Sequence, residues 1–397
     1  MELTGAADRG SGSRLRIALV TETYPPEING VAMTLGRMVE GLTARGHHIE
    51  LVRPRQESDA GPPKANGVEH ALVRGLPIPR YDALKLGLPA GGRLRRMWSE
   101  RRPDVVHIAT EGPLGWSALA AARALGLPVS TDFHTNFHSY SNHYGLGWLE
   151  RAVAAYLRNF HNRAGCTLVP TEGMRRSLAQ QGFTGLKVVA RGVDTGLFHP
   201  ERRSPALRAK WGAEPGDPVV LYVGRLAPEK NLPLVTRSFE AMRALEPRAK
   251  LVLVGDGPAR EELEARYHGY VFAGMRRGED LAAHYASGDI FLFPSTTETY
   301  GNVTMEAMAS GLAVVAYDYA AAEEHIRSGL NGLTAPFDDE EVFLRQALAL
   351  ARDAGYARDL GRSARQTAAS IDWEQVFDAL ERALRDAMEA RGGHAAA

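Results

Sequence analysis

Short apolar runs alternate with amphipathic stretches along the whole chain. LRIALVTE (15–22) precedes a helical pattern near 31–45 and then HIELVRP (48–54). PDVVHIA (103–109), a helical 115–126, LPVSTDF (127–133) and CTLVP (166–170) continue the alternation. The second half repeats it with PVVLYVG (218–224), KLVLVG (250–255), YVFAG (270–274), IFLFP (290–294) and LAVVAY (312–317). A run that is apolar on both faces has no side to offer water, so it belongs in a parallel sheet covered by helices. The pattern predicts an α/β chain with doubly wound parallel sheets. Turn residues and charges interrupt it at RGVDTGLFHPERRSP (191–205), which predicts a break between two such domains, 14–195 and 196–370.

Length agrees, because 397 residues exceed the size at which a single core stops growing. The formal net charge is zero, which argues against bulk nucleic-acid binding. That zero conceals an asymmetry. Residues 1–200 carry 24 Lys/Arg against 17 Asp/Glu, and the remainder carries 23 against 30. Halves of opposite sign imply different ligands. The single cysteine, Cys166, excludes an internal disulfide framework and fits a reducing compartment. Residues 1–13 are small and polar, predicting a loose tail without the apolar segment of a signal peptide. No apolar stretch approaches the roughly 20 residues of a membrane span, so a cytoplasmic protein is expected. Residues 74–102 hold eight basic residues against two acidic, interspersed with leucines, Met97 and Trp98. They fit either a peripheral contact with an anionic membrane or a solvated loop and helix face.

Candidate chemistry concentrates where strands end, as in open α/β sheets generally. FPSTTETYGNVTMEAMASG (293–311) is a buried strand, a loop and a helix beginning near Asn302. Glu298 falls in the loop and Glu306 about one turn into the helix. Gly301 between them lets backbone N–H groups approach an anion at the helix start. Carboxylates accept hydrogen bonds from sugar hydroxyls, so the segment suits a nucleotide sugar. Two surface acids fit equally well; spacing also admits the paired carboxylates of a glycosidase, which the basic residues nearby do not suit. Arg225 and Lys230, in LYVGRLAPEKN, follow another buried strand and could clamp a diphosphate. No Asp-x-Asp offers a metal alternative, so no metal and no cofactor is expected. His134 follows a strand directly and suits a polar role in the cleft. His134, His138 and His143 leave a weak metal reading, because the Glu of a zinc-protease helix is missing. Gly30, after TETYPPEIN, could admit a phosphate at a helix start. VGDGPAR (254–260) begins like a dinucleotide fingerprint but has Arg260 where the third glycine belongs.

Taken in order, ETYGNVTMEAMASGLAVVA, GRLAPEKN and RGVDTGLF resemble the family 4 retaining glycosyltransferases of GT-B architecture, over about residues 15–390. TETYPPEINGV, DFHTNFHSYSNHYG and LPIPRYDALKLGLP look closest to bacterial GDP-mannose-dependent α-mannosyltransferases acting on lipid acceptors. The resemblance implies two Rossmann-like domains facing across a cleft, with a C-terminal helix (371–391) crossing back to the first. By the same resemblance, Arg225 and Lys230 bind the donor diphosphate in place of a metal, and Gly30 opens toward the phosphates. Glu306 holds the ribose hydroxyls and Glu298 contacts the donor sugar, with His134 at the reacting centre. Tyr300, Gly301, Asn302 and Val303 offer the turn, and the base meets backbone near Gly274 and Met275. Tyr300 stands where many relatives carry Phe. The implied activity is transfer of a hexose, mannose first, to a hydroxyl of a glycolipid or other glycan. A UDP-sugar donor, or a non-catalytic binding protein on the same scaffold, remain the alternatives.

Overall fold

The structure, a computed structural model, describes residues 13–27, 29–56, 59, 67–78, 81–134 and 147–392. The first lobe carries β1 (Arg16–Val20), β2 (His48–Pro54), β3 (Val68–Val73), a hairpin of β4 (Gly75–Ile78) and β5 (Tyr81–Gly87), then β6 (Val105–Ile108), β7 (Val129–Asp132), β8 (Cys166–Val169) and β9 (Leu186–Val188). Its parallel sheet has the order β3-β2-β1-β6-β7-β8-β9. The second lobe holds β10 (Val219–Val223), β11 (Lys250–Val254), β12 (Val271–Gly274), β13 (Ile290–Phe293), β14 (Ala313–Tyr317) and β15 (Leu333–Ala335), ordered β12-β11-β10-β13-β14-β15 and again parallel. In both lobes the order reverses beside the first strand, the place where such sheets open a crevice.

The central strands are the ones legible as apolar runs. β1, β6, β10, β13 and β14 are almost entirely buried, because helices cover both faces. β3, β9, β15 and the hairpin are not evident from apolar runs. They are sheet edges or lie outside the main sheets, where half-exposed residues break the pattern. The basic segment resolves into that hairpin and the helix Gly91–Glu100. Leu94 and Trp98 are buried, and Trp98 Nε1 donates to Glu50 Oε2 at 2.9 Å. Arg93, Arg95 and Arg96 face outward, and Leu76 and Leu86 of the hairpin are exposed.

The last helix, Trp373–Gly392, returns to the first lobe as the resemblance implied. Its Val376, Leu380, Leu384 and Ala387 share a core with Leu35, Met38 and Leu42 of helix Gly30–Ala44. Gly41 makes the approach possible: a Cβ there would lie 2.2 Å from Phe377 Cζ. Arg45 completes the seam, meeting Glu374 and Asp378 at 2.7 Å and Glu381 at 2.9 Å.

Candidate active site

β13 delivers Ser295 at its carboxyl end, and the chain loops to Gly301 before helix Asn302–Ala309. Gly301 has φ 90°, a left-handed conformation that a side chain would strain. Gly311, at φ 80°, closes the helix. Within the loop Glu298 is held from several sides. Ser295 Oγ donates to Glu298 Oε1 at 2.7 Å, and the Lys230 ammonium forms a salt bridge with the same oxygen. Tyr319 Oη meets both the N–H and the C=O of Glu298. Lys230 comes from the turn Pro228–Lys230 after β10, so neighbouring strand ends bring cation and acid together. Their side chains are only 16% and 17% exposed. Arg225 lies on the same loop but further out. Its side chain is 47% exposed and stands 3.5 Å from Glu229 Oε1, while Tyr222 Oη donates to its carbonyl at 3.0 Å.

Glu306 is half-buried one turn into the helix, and Tyr285 Oη donates to its Oε2 at 2.9 Å. Burial pushes this carboxyl up to about 7, and the tyrosine hydrogen bond only partly opposes it. Tyr300 is buried; its hydroxyl donates to the Arg191 carbonyl at 2.8 Å and lies 3.0 Å from His325 Nε2. Those are the partners of the hydroxyl that a phenylalanine would lack. Asn302 and Val303 are half-buried in the first turn. Across the gap, Gly30 begins the first-lobe helix, capped by Asn29, whose Oδ1 accepts from the N–H of Ala32 at 2.8 Å. A Cβ on Gly30 would stand 4.0 Å from Asn302 Nδ2. The starts of two helices, one from each lobe, therefore lie close together, and helix N-termini favour anions.

His134 sits two residues beyond β7, and its ring is turned inward. The side chain is 5% exposed, Nδ1 accepts from Arg191 Nη2 at 2.7 Å, and Nε2 lies 2.9 Å from Asp132 Oδ2. Its carbonyl reaches the other lobe, accepting from Thr299 Oγ1 at 3.0 Å. Burial by itself would raise the Asp132 carboxyl, but the neighbouring His134, His107 and Arg191 hold it down to about 2. His138 and His143 lie outside the described residues. Gly274, at φ 72°, and the half-exposed Met275 form an open rim at the end of β12. The glycines of VGDG serve packing: a Cβ on Gly255 would lie 1.9 Å from the Gly224 carbonyl oxygen. They let the loop after β11 press against the loop that carries Arg225. Among the described residues, no group of three or more His, Cys, Asp or Glu side chains is placed to hold a metal ion.

A cavity of about 390 Å³ opens beside Glu298, with Phe133, Met174 and Leu178 of the first lobe facing Thr299 and Tyr319 of the second. Sequence reasoning missed Arg191, Ser295, Tyr285 and Tyr319, which hold the expected residues in position. Arg191 carried one signal, a charge directly before a glycine where the domain break begins.

The model for "Glycosyltransferase Family 4" matches residues 28–197, and that for "Glycosyl transferases group 1" matches 217–353. A GDP-mannose-dependent alpha-mannosyltransferase of Mycobacterium tuberculosis is 35% identical over 339 residues, covering 84% of this chain and 87% of the relative. A sulfoquinovosyl transferase of Arabidopsis thaliana is 31% identical over 90% of this chain and 71% of its own. Among solved structures, sucrose-phosphate synthase from Thermosynechococcus elongatus superposes with a TM-score of 0.76 at 18% identity, covering 95% of this chain and all of that one. Facing parallel sheets, a crossing C-terminal helix and a polar cleft at the strand ends are the GT-B architecture, and with these likenesses the chain belongs to glycosyltransferase family 4 and is a glycosyltransferase.

Proposed function

We propose that the protein is a retaining hexosyltransferase that moves mannose from GDP-mannose to a hydroxyl of a glycolipid or other glycan. The single observation that carries the donor site is the close approach of the two helix starts at Gly30 and Asn302, with the Lys230–Glu298 pair beside the second of them. In this reading the diphosphate lies on the turn at Tyr300–Val303, neutralised by Lys230 and Arg225, and no metal or other cofactor takes part. Glu298 accepts from hydroxyls of the sugar and Glu306 from those of the ribose. The base lies along Gly274 and Met275. Residues 14–195 serve the acceptor and 196–370 the donor.

The sugar C1–O bond to the diphosphate breaks, and the acceptor oxygen forms the new bond on the same face. The acceptor proton passes to an oxygen of the departing nucleoside diphosphate. Fixed cations and helix N-termini stabilise the charge that grows on that leaving group, and such preorganised electrostatics usually lower the barrier more than any other single effect. His134 is included for its carbonyl, which ties the first lobe to Thr299. A role for its ring at the sugar requires the ring to leave its seat between Asp132 and Arg191.

The exposed Leu76 and Leu86, with Arg93, Arg95 and Arg96 nearby in sequence, support a peripheral contact with an anionic membrane from the cytoplasmic side. Among the described residues no helix is long and apolar enough to cross a membrane. Mannose is favoured over other hexoses by the likeness to the mycobacterial enzyme. A UDP-sugar donor is the second reading; the likeness to the sulfoquinovosyl transferase supports a transferred sugar other than mannose.

Purified protein is to be offered labelled GDP-mannose and UDP-glucose with candidate glycolipid acceptors, and the products read by mass spectrometry. Transfer or hydrolysis from GDP-mannose supports the proposal. Turnover of the UDP-sugar alone moves it to the second reading, and no turnover of either donor overturns both.

A further inference from the structure

We propose that Arg191 is a positioning residue that sets the His134 ring and the Thr299–Asn302 turn as one unit across the two lobes. The functional consequence, though not the geometry, rests on the donor-site reading above. Arg191 is 5% exposed, in the segment that joins the last strand of the first sheet to the second lobe. Its Nη1 donates to Thr34 Oγ1 at 2.9 Å, and Thr34 Oγ1 donates in turn to the Gly30 carbonyl at 2.8 Å. Its Nη2 donates to His134 Nδ1 at 2.7 Å. Its own carbonyl accepts from Tyr300 Oη at 2.8 Å. One residue thus touches the start of the first-lobe helix, the His134 loop and the turn that begins the second-lobe helix.

The chemistry of the contacts restricts each partner. A guanidinium donates and never accepts, so His134 Nδ1 is the acceptor and the ring proton resides on Nε2, toward Asp132. The Tyr300 hydroxyl gives its one proton to the Arg191 carbonyl, so His325 Nε2 is the donor in their 3.0 Å contact. An apolar side chain would fill a buried space at lower desolvation cost than a guanidinium. What the guanidinium supplies is a planar fork with two nitrogens aimed at two different elements, the first-lobe helix at Thr34 and the chain just past β7 at His134. Lysine offers one nitrogen in place of two and cannot reproduce it.

The test compares Arg191→Lys, Thr34→Val and Tyr300→Phe with the unaltered chain in three measurements. These are GDP affinity by calorimetry, turnover of GDP-mannose, and the ¹⁵N shifts of the His134 ring in ligand-free protein, assigned through His134→Gln. The expected result for Arg191→Lys is turnover lowered at least about tenfold with GDP affinity within about twofold. The Nδ1 resonance should sit in the acceptor range in the unaltered chain and move toward tautomer averaging in the variant. A merely structural role would lower GDP affinity, turnover and Tm together and leave the tautomer alone. That result, or unchanged turnover with an unchanged tautomer, overturns the proposal. If Arg191→Lys does not fold, the other two carry the test, because each removes a single hydroxyl. Turnover unchanged in both then overturns it, and a selective loss in either supports it. Should the unaltered chain fail to bind GDP, the donor reading falls, while the ring tautomer still decides whether Arg191 sets His134.

Discussion

Replacing Lys230 and Glu298 one at a time separates the two halves of the donor site, because in the unliganded protein each is the other's partner. Lys230→Ala removes a charged donor to the diphosphate. A hydrogen bond to a charged group contributes about 1.5–3 kcal/mol, so GDP should bind roughly 10- to 150-fold more weakly. It also leaves the half-buried Glu298 carboxylate with Ser295 but no cation, so Tm should fall by a few degrees, at about 2–4 °C per kcal/mol. Glu298→Gln works the opposite way on GDP. The amide still accepts from Ser295, but it no longer neutralises Lys230, and GDP has no sugar to miss the carboxylate. GDP affinity should therefore stay level or rise, while GDP-mannose loses roughly 1.5–3 kcal/mol of binding through its hydroxyls. Calorimetry with both ligands at low ionic strength, with thermal melts as the folding control, reads all four values. If Glu298→Gln weakens GDP as much as Lys230→Ala does, the division of labour between cation and acid is wrong. Unchanged GDP binding in Lys230→Ala would remove Lys230 from the diphosphate altogether.

Glu306 should make donor binding pH-dependent, since burial raises its carboxyl from 4.5 to about 7. Ionised, it accepts ribose hydroxyls best, so GDP affinity should rise between about pH 6 and 8 more steeply in the unaltered chain than in Glu306→Gln; parallel profiles would exclude this role. The same shift fixes a sign for stability. The folded state holds the proton more tightly than the unfolded one, so the contribution is full below 4.5 and is lost as pH rises through about 7. The ligand-free Tm of the unaltered chain should thus drop over that window relative to Glu306→Gln. Gly41→Ala should lower Tm, although alanine ordinarily favours a helix by about 1 kcal/mol. The added methyl meets Phe377, overpacking of this kind costs typically about 1–3 kcal/mol, and Phe377→Ala in the same chain should relieve the clash. Turnover should persist in excess EDTA, measured against a magnesium-supplemented control; loss restored by a divalent ion would replace the fixed-cation account.

Much of the architecture is local in origin and was therefore legible. IALV, VVLYV and IFLF are apolar on both faces, and only the middle of a helix-covered parallel sheet accepts such strands. The turn at Gly301 and the helix from Asn302 follow from one glycine and the residues after it. Edge strands such as β9 escaped because half-exposed positions carry no run to read. What the chain order could not decide is which groups meet across long separations. The hydrophobic pattern places His134 at a strand end, but only packing against Asp132 and Arg191 turns its ring inward. The sequence determined where loops end strands. The tertiary structure decided that Lys230 and Glu298 share one contact and that Arg191 reaches both lobes. Hydrogen bonds and ion pairs are directional and short, so they depend on how two sheets are set against each other, a relation no local spacing encodes.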